Sequence, residues 1–357
     1  MATVEADKLR GGYVDANAGK VTLRAYGERW LATQTFDETS HDVVERMLRL
    51  HVYPVLGGKE IRQIKPSTVQ AWVGGLTVSS STYKRMIFGH LSSVLSAAVD
   101  DDLLTKNPCH AGSVRTPKLE PRQVVPWTAQ RVADVREALP DEYRVVAALA
   151  AGLGLRQGEV FGLAVEDVDS LRGTVTVCRQ VRLFTDGRQT FRPPKGKKER
   201  KVPLASSVRD ALAAHLAAHP ARHVTLPDEA NSGTALTVSL IVSTSDADAL
   251  RRNDFNRRVW APALRVAKVE AGRENGMHAL RHFFASVLLD AGESIKAVSE
   301  YLGHRRGFHP AHLHTLDADE RRPDPERGRW RAGLLHGCYI RVRLEVICAG
   351  QTHTAPR

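Results

Sequence analysis

Apolar side chains recur at helical spacing through the first hundred residues of the chain. The stretch "LRAYGERWLAT" places Leu23, Tyr26 and Trp30 on one face, and "SHDVVERMLRLHVYPVLG" repeats the pattern as far as Pro54 and Gly57. A spacing of three to four residues predicts an amphipathic helix in each stretch. Proline and glycine are helix-ending residues, so the second helix is predicted to stop at this pair.

Two more helices are predicted in the same region. Ser67 is followed three residues later by Gln70, which predicts a capping box at the start of "STVQAWVGGL". A longer helix is predicted over residues 80–99. Its inward-facing side chains are expected to be Ile87, Leu91, Val94, Leu95 and Ala98. Residues 21–112 are therefore assigned to one all-helical domain, preceded by a short, charged and turn-rich segment, residues 1–20.

A change of pattern separates this domain from the rest. Residues 113–126 are rich in proline and basic residues without an apolar period, which indicates a linker. Beyond it, Thr128 is placed to cap one helix, and "DEYRVVAALAAGLGL" predicts another. The stretch "TVTVCRQVRLF" alternates as a β-strand does, and Asp186-Gly187 offers a hairpin turn after it. Later stretches return to helical spacing, so the predicted fold class is mainly α with a small antiparallel sheet (α+β). Residues 223–250 carry no clear pattern.

Composition narrows the choice of partner. The 357 residues, enough for two domains, carry a formal net charge of +11 and a pI near 9.7, which favours a polyanion, and nucleic acid rather than a membrane. No apolar run reaches the roughly 18 residues of a membrane helix, so no membrane is expected as a partner. The four cysteines form no CxxC pair, so no structural zinc is expected.

Four motifs in the second domain carry the chemistry: "GLGLRQGEVFGL", "RPPKGKKERKVPL", "MHALRHFFASVLLDAG" and "VSEYLGH". In this order, after a helical domain and a linker, they resemble the tyrosine recombinase (phage integrase) family, and the resemblance runs from about residue 22 to residue 304. It implies a helical core-binding domain over residues 21–112 and a catalytic domain over residues 127–304. It also implies site-specific integration or excision of DNA by a homo-tetramer, in a bacterial or phage-encoded protein of the cytoplasm.

The same resemblance implies the catalytic residues. Arg156 matches the arginine of the family's Arg-x-Gly-Glu, Lys195 its β-hairpin lysine, His278 and Arg281 its His-x-x-Arg, and His304 its Leu-Gly-His. In the family a tyrosine hydroxyl attacks a DNA phosphodiester, and no metal or other cofactor is needed. Two guanidiniums suit the charged phosphate oxygens, and a lysine suits protonation of the leaving oxygen. Histidine and arginine three residues apart on one helix face can address one phosphate.

Several assignments stay open at this stage. Lys197 and Lys198 are alternatives to Lys195 as the operative lysine, and both are also candidates for DNA contact. Glu159 is expected to orient an arginine rather than to take part in the chemistry. In the first domain, the basic residues are either phosphate contacts or ordinary solvated charges. The candidates are Arg46, Arg49, Lys84 and Arg85.

The family's nucleophile has no counterpart at its usual spacing. After the Leu-Gly-His motif that slot falls at Leu313 or His314, neither of which can form a phosphotyrosine. Tyr301 resembles a packing residue of the family, and Tyr339 stands in a context without family likeness. Loss of a nucleophile costs on the order of a millionfold in rate. The chain as written is therefore expected not to cleave DNA by itself.

The tail suggests a reason. Residues 305–357 contain ten arginines and no lysine, and they are expected to be poorly ordered. A one-base frameshift at His304 can re-read "HRRGFHPAHLHT" as a segment containing Thr-Leu-Arg-Thr-Tyr-Thr-His, with tyrosine in the missing slot. Residues 1–20 likewise resemble a remnant of an N-terminal arm-binding region. Besides an active recombinase, three hypotheses follow: a catalytically dead DNA-binding protein, a subunit completed by an intact recombinase, or a gene relic.

Overall fold

The computed structural model describes residues 18–119, 125–196 and 199–303. The chain divides into two compact units between Pro121 and Arg122, a boundary that falls within the segment predicted as a linker. The tail of residues 305–357 and most of the lead-in of residues 1–20 lie outside the described residues. Each unit has its own buried apolar core.

The first unit is helical throughout its described part. Its helices are α1 (Leu23–Ala32), α2 (Glu38–Met47), α3 (Tyr53–Leu56), α4 (Pro66–Gly74) and α5 (Ser81–Asp100). Side chains that precede helices accept bonds from backbone N–H groups: Thr22 caps α1, Asp37 caps α2 and Ser80 caps α5. The five inward residues predicted for the long helix are all buried in α5.

One helix end in this unit is confirmed in part, and one capping prediction is wrong. The helical run does not stop at Pro54, because a π-helical turn over Leu48–Val52 carries the chain from α2 into α3, where proline in the first turn has no intrahelical N–H to lose. It ends at Leu56 with Gly57 as the C-cap, as predicted for the second residue of the pair. The capping box at Ser67 does not form. Helix α4 starts one residue earlier, at Pro66, so Ser67 lies inside its first turn. The Gln70 side chain instead accepts a bond from the Arg115 backbone N–H, at 2.8 Å.

The second unit combines helices with two small sheets. Its helices are α6 (Ala129–Ala138), α7 (Asp141–Leu153), α8 (Gln157–Phe161), α9 (Ser206–Ala218), α10 (Arg252–Phe255), α11 (Ala261–Val266), α12 (His278–Asp290) and α13 (Ile295–Leu302). Its strands are β1 (Val168–Asp169), β2 (Thr174–Val177), β3 (Gln180–Leu183), β4 (Gln189–Arg192), β5 (Arg200–Pro203), β6 (Arg222–Asp228) and β7 (Thr234–Leu240). Thr128 caps α6 as predicted.

The mainly helical α+β class is confirmed, but the sheet content exceeds the prediction. Strands β1, β2 and β5 form an antiparallel sheet, and β3, β4, β6 and β7 form a second sheet in which β4 and β6 run parallel. The hairpin of β3 and β4 turns at Asp186-Gly187 as expected, with Gly187 at φ +89°. Strands β6 and β7 occupy the stretch for which no clear pattern was predicted, although Val224 and Leu226 in β6, and Leu236, Val238 and Leu240 in β7, are buried or half-buried at alternate positions.

Candidate active site

The Arg-x-Gly-Glu motif forms a tight turn between two helices. Helix α7 ends at Gly154, whose φ of +63° is in the left-handed region and where an added Cβ would lie 2.4 Å from Phe284 Cδ1. Arg156 then serves as the N-cap of α8, and Glu159 folds back onto it. The Glu159 carboxylate accepts a bond from the Arg156 backbone N–H at 2.9 Å and another from Arg156 Nη1, also at 2.9 Å. The motif is therefore a closed loop whose arginine is oriented by its own glutamate.

A second arginine, Arg200, holds the same carboxylate. From the start of β5, its Nη1 donates to Glu159 Oε1 at 3.0 Å and its Nη2 donates to Glu159 Oε2 at 2.6 Å. Its Nε donates to the carbonyl oxygen of Tyr301 at 2.6 Å. Only 7% of the Arg200 side chain is exposed, whereas 24% of the Arg156 side chain is. Arg200 was not predicted as a site residue, because it stands in a run of charges.

Arg281 is buried between the C-terminal ends of two helices, α7 and α13. From α12, its Nη1 donates to the Gly154 carbonyl oxygen at 2.6 Å, and its Nη2 donates to the Leu302 carbonyl oxygen. Burial, and next the positive charge of Arg156, lower the pKa of Arg281 to about 9, so the guanidinium keeps its proton at neutral pH. These two bonds fix the plane and the direction of the guanidinium.

The balance of charge at this cluster favours an anion. Burial by itself raises the pKa of Glu159, but the hydrogen bonds and charges of Arg200 and then Arg156 more than offset it, and the pKa lies below its ordinary value. Glu159 is therefore a carboxylate shared by two guanidiniums, with the guanidinium of Arg281 beside them. The arginine cluster, defined as Arg156, Arg200 and Arg281, thus carries more positive charge than its carboxylate neutralises. Such a site suits a phosphate group.

His278 is the first residue of α12 and its side chain is exposed. It stands one helical turn before Arg281, on the same face. Its ring meets that of His282 edge to face, with centroids 4.6 Å apart. Burial, and next the charge of Arg281, lower the pKa of His282, so this second histidine is neutral at neutral pH. The pair thus sets an exposed imidazole beside Arg281.

The predicted lysine, Lys195, does not lie in the tight β3–β4 hairpin. Lys195 is exposed in the turn that connects β4 to β5, after the β3–β4 hairpin and five residues before Arg200. The two strands belong to different sheets, so this connection is wider than a two-residue turn. Lys197, Lys198 and His304 lie outside the described residues. The role of Lys195 therefore stays a prediction, as do those of these three residues.

Tyr301 behaves as a packing residue in the structure. Its half-buried ring lies against the core of the second unit, and burial, followed by the charges of Glu293 and Glu300, raises its pKa. Its contribution to the cluster is its carbonyl oxygen, which receives Arg200. A residue with a raised hydroxyl pKa is a poor nucleophile at neutral pH.

The basic candidates of the first unit differ in their exposure and in the bonds that they already make. Arg46 is exposed on α2, and Arg49, also exposed, is paired with Glu45 at 2.7 Å. Lys84 is half-buried on α5, and Arg85 donates from its exposed side chain to the Pro117 carbonyl oxygen at 3.2 Å. Pairs this exposed are weak and can be exchanged for a phosphate contact. Among the described helices, none is long and apolar enough to cross a membrane.

Comparisons with known proteins cover both units. The phage integrase family profile matches residues 128–309, and the phage integrase N-terminal SAM-like domain profile matches residues 22–77. The integrase of Mycobacterium phage L5 is 25% identical over 297 residues, which cover 81% of this chain and 74% of that protein. A XerC-like tyrosine recombinase of Caldanaerobacter subterraneus subsp. tengcongensis is 28% identical over 282 residues, covering 73% of this chain and 69% of that protein.

Solved structures share the fold. The Tn1549 transposon integrase, in complex with a circular intermediate DNA, superposes with a TM-score of 0.70 at 18% identity, over 84% of this chain and 97% of that one. The lambda integrase, as a tetramer bound to a Holliday junction, gives a TM-score of 0.60 at 17% identity, over 93% of this chain and 88% of that one. At such identities the likeness concerns the fold alone.

Proposed function

The chain belongs to the phage integrase family, and from that premise we propose that it acts on double-stranded DNA as a site-specific recombinase of the tyrosine type. The observation that carries the proposal is the arginine cluster around Glu159. Its buried members are fixed before any ligand binds, and Arg156 remains partly exposed. Cations held in advance where negative charge develops are the main requirement for phosphoryl transfer.

In the proposed reaction, Arg156 and Arg281 hold the non-bridging oxygens of the scissile phosphate. A tyrosine oxygen bonds to phosphorus and its proton passes to solvent, while the bond from phosphorus to the 5′-oxygen breaks and Lys195 protonates that oxygen. The phosphodiester energy stays in the phosphotyrosine, so the reverse step with a partner strand's 5′-hydroxyl completes recombination. His278, beside Arg281, and His304 would add hydrogen bonds to the same phosphate.

As written, the chain has no tyrosine at the family's usual nucleophile position. The family slot falls at Leu313 or His314, outside the described residues, and neither side chain can form the family's phosphotyrosine. We therefore propose that the chain alone binds its recombination site without cleaving it. Such a chain can act in one of two ways. In the first, an intact recombinase in a mixed assembly supplies the tyrosine and cleavage follows. In the second, the chain only occupies the site.

The test begins with selection of bound duplexes from a pool with a randomised centre. Affinity for the selected duplex should fall steeply with salt, because several phosphates are neutralised on binding. Arg156→Met should weaken it, whereas Arg172→Met, which removes an exposed arginine paired with Asp169, should not. Failure to enrich any duplex over the starting pool would refute the proposed function.

Cleavage is tested separately with a nicked suicide substrate built on the selected duplex. The chain as written should give no denaturation-resistant adduct. A version that keeps His304 and carries the alternate-frame segment in place of the residues after it should give one, and mixtures of the two should carry the adduct only on the tyrosine-bearing chain. An adduct on the chain as written would contradict the proposal, and Tyr339→Phe would then identify the attacking residue.

A further inference from the structure

Arg200 touches elements of two motifs that lie far apart in the sequence. It binds both oxygens of Glu159, 41 residues before it, and the carbonyl oxygen of Tyr301, 101 residues after it. It also lies directly against Gly303, where an added Cβ would come within 3.2 Å of Arg200 Cδ. One buried side chain therefore connects the Arg-x-Gly-Glu turn to the end of α13.

The geometry explains why an arginine is needed there. Its planar guanidinium offers two parallel N–H groups to one carboxylate and a third N–H in another direction. The end of α13 presents unpaired carbonyl groups and the negative end of the helix dipole, both of which attract a cation. A lysine has one compact ammonium on a flexible stem and cannot reproduce this fork and third bond together.

Arg200 also decides how much of Arg156 remains available. Glu159 is a fully buried carboxylate, so its charge must be offset by whatever cations are near. With Arg200 in place, two bonds come from a side chain with little exposure, and Arg156 contributes one guanidinium N–H and its backbone N–H. Without Arg200, the Glu159 carboxylate would keep only Arg156 of these two partners. The guanidinium of Arg156 would then move toward the carboxylate, which would offset its positive charge.

We propose that Arg200 is a positioning residue. By binding Glu159 and the end of α13, it keeps the guanidinium of Arg156 in place to bind the DNA phosphate, because Arg156 is then not the sole counter-ion of the carboxylate. This inference rests on the proposed function in taking that phosphate to lie at Arg156 and Arg281. Arg200 is not assigned a contact with the phosphate, because all three of its guanidinium nitrogens already donate to Glu159 or to the Tyr301 carbonyl oxygen.

The experiment compares five proteins: the full chain, Arg200→Met, Arg200→Lys, the double variant Glu159→Gln/Arg200→Met, and Arg179→Met. The last is the matched control, because Arg179 makes a similarly enclosed ion pair with Asp167 in the same unit. Two affinities are measured. One is for the selected duplex, and the other is for inorganic phosphate, from thermal-shift titrations at constant ionic strength with chloride as the balancing ion.

Arg200→Met should weaken both affinities, that for duplex by about tenfold, which is the effect of one lost charged hydrogen bond. The double variant should recover most of the loss, because a neutral glutamine no longer draws Arg156 inward. Arg179→Met should lower the unfolding temperature without changing either affinity. Arg200→Lys should bind duplex and phosphate as weakly as Arg200→Met, because an ammonium cannot reproduce the guanidinium's fork and third bond.

Two results would overturn the inference. One is an Arg200→Met protein that binds phosphate and duplex as the full chain does. The other is a double variant no better than Arg200→Met, which would show that Arg200 acts only through general stability. If no duplex is selected at all, the proposed function fails by itself, and the phosphate titration still decides the role of Arg200.

Discussion

Replacing Glu159 with alanine removes the buried carboxylate that Arg156 and Arg200 share. The carboxylate accepts four hydrogen bonds, at 2.9 and 2.9 Å from Arg156 and at 3.0 and 2.6 Å from Arg200, and its side chain is fully buried. The change leaves the enclosed guanidinium of Arg200 without its counter-charge. Breaking a buried ion pair in this way costs about 3–5 kcal/mol in the free energy of unfolding.

A matched control separates burial from the mere number of bonds. Glu229 also binds two arginines, Arg182 at 3.2 Å and Arg192 at 3.6 Å, and it accepts a bond from Thr190. Its side chain is 27% exposed, so water takes up part of the loss. Glu229→Ala is therefore expected to cost about 1 kcal/mol, as partly exposed pairs do.

Urea unfolding with peptide-resolved hydrogen exchange is the suitable assay, because it measures the second unit separately from the first. Glu159→Ala should lower protection across the second unit by the larger amount and leave the first unit unchanged. If Glu159→Ala cost no more than Glu229→Ala, the view of Glu159 as a buried counter-ion would be refuted.

The same carboxylate makes a prediction about pH. Because the pKa of Glu159 in the folded protein lies below its ordinary value of 4.5, the folded state favours the charged form. Its contribution to stability is fully present above the ordinary pKa and is lost as the pH falls below 4.5 through the folded pKa. The difference in unfolding free energy between the full chain and Glu159→Ala should therefore shrink in that acidic window.

Three further changes test other parts of the structure. Thr128→Ala should cost about 1 kcal/mol of unfolding free energy because it removes a helix cap, whereas Ser67→Ala, inside a first turn, should cost little; urea unfolding measures both. Gly154→Ala should lower the unfolding temperature markedly, since a Cβ at positive φ would also collide with Phe284. Arg281→Lys should bind the selected duplex at least tenfold more weakly in a titration, because a compact ammonium on a flexible stem cannot span the Gly154 and Leu302 carbonyl oxygens as Nη1 and Nη2 of the planar guanidinium do, and so is not held in the same place.

Local patterns were sufficient where the determining contacts are local. Helix α5, the Thr128 cap and the turn at Asp186-Gly187 follow from spacing and residue type within a few positions. The link between Arg156 and Glu159 also spans only three residues. These features could be predicted from the sequence because the residues that decide them are neighbours along the chain.

Features that depend on distant partners were missed. Arg200 stands in "KGKKERK", which resembles a solvated run of charges, and its bonds reach 41 and 101 residues away. One signal was present nonetheless. In a strand, alternate side chains share a face, and Arg200 is two positions before the buried Val202. The strand over Arg222–Asp228 was missed because only Val224 and Leu226 carry its apolar alternation, which is short and lies in a stretch rich in small and polar residues.

The placement of Arg200 and Arg281 follows from one property of α13. This helix ends at Leu302 with Gly303 in the left-handed conformation, so its last carbonyl groups point away from any further turn. Arg200 takes the carbonyl of Tyr301 and Arg281 takes that of Leu302. Two guanidiniums are thereby held by backbone oxygens, which carry no full charge and leave the cationic excess intact. If the proposed phosphate site lies here, its buried arginines need no rearrangement on binding, because the helix end has already oriented them.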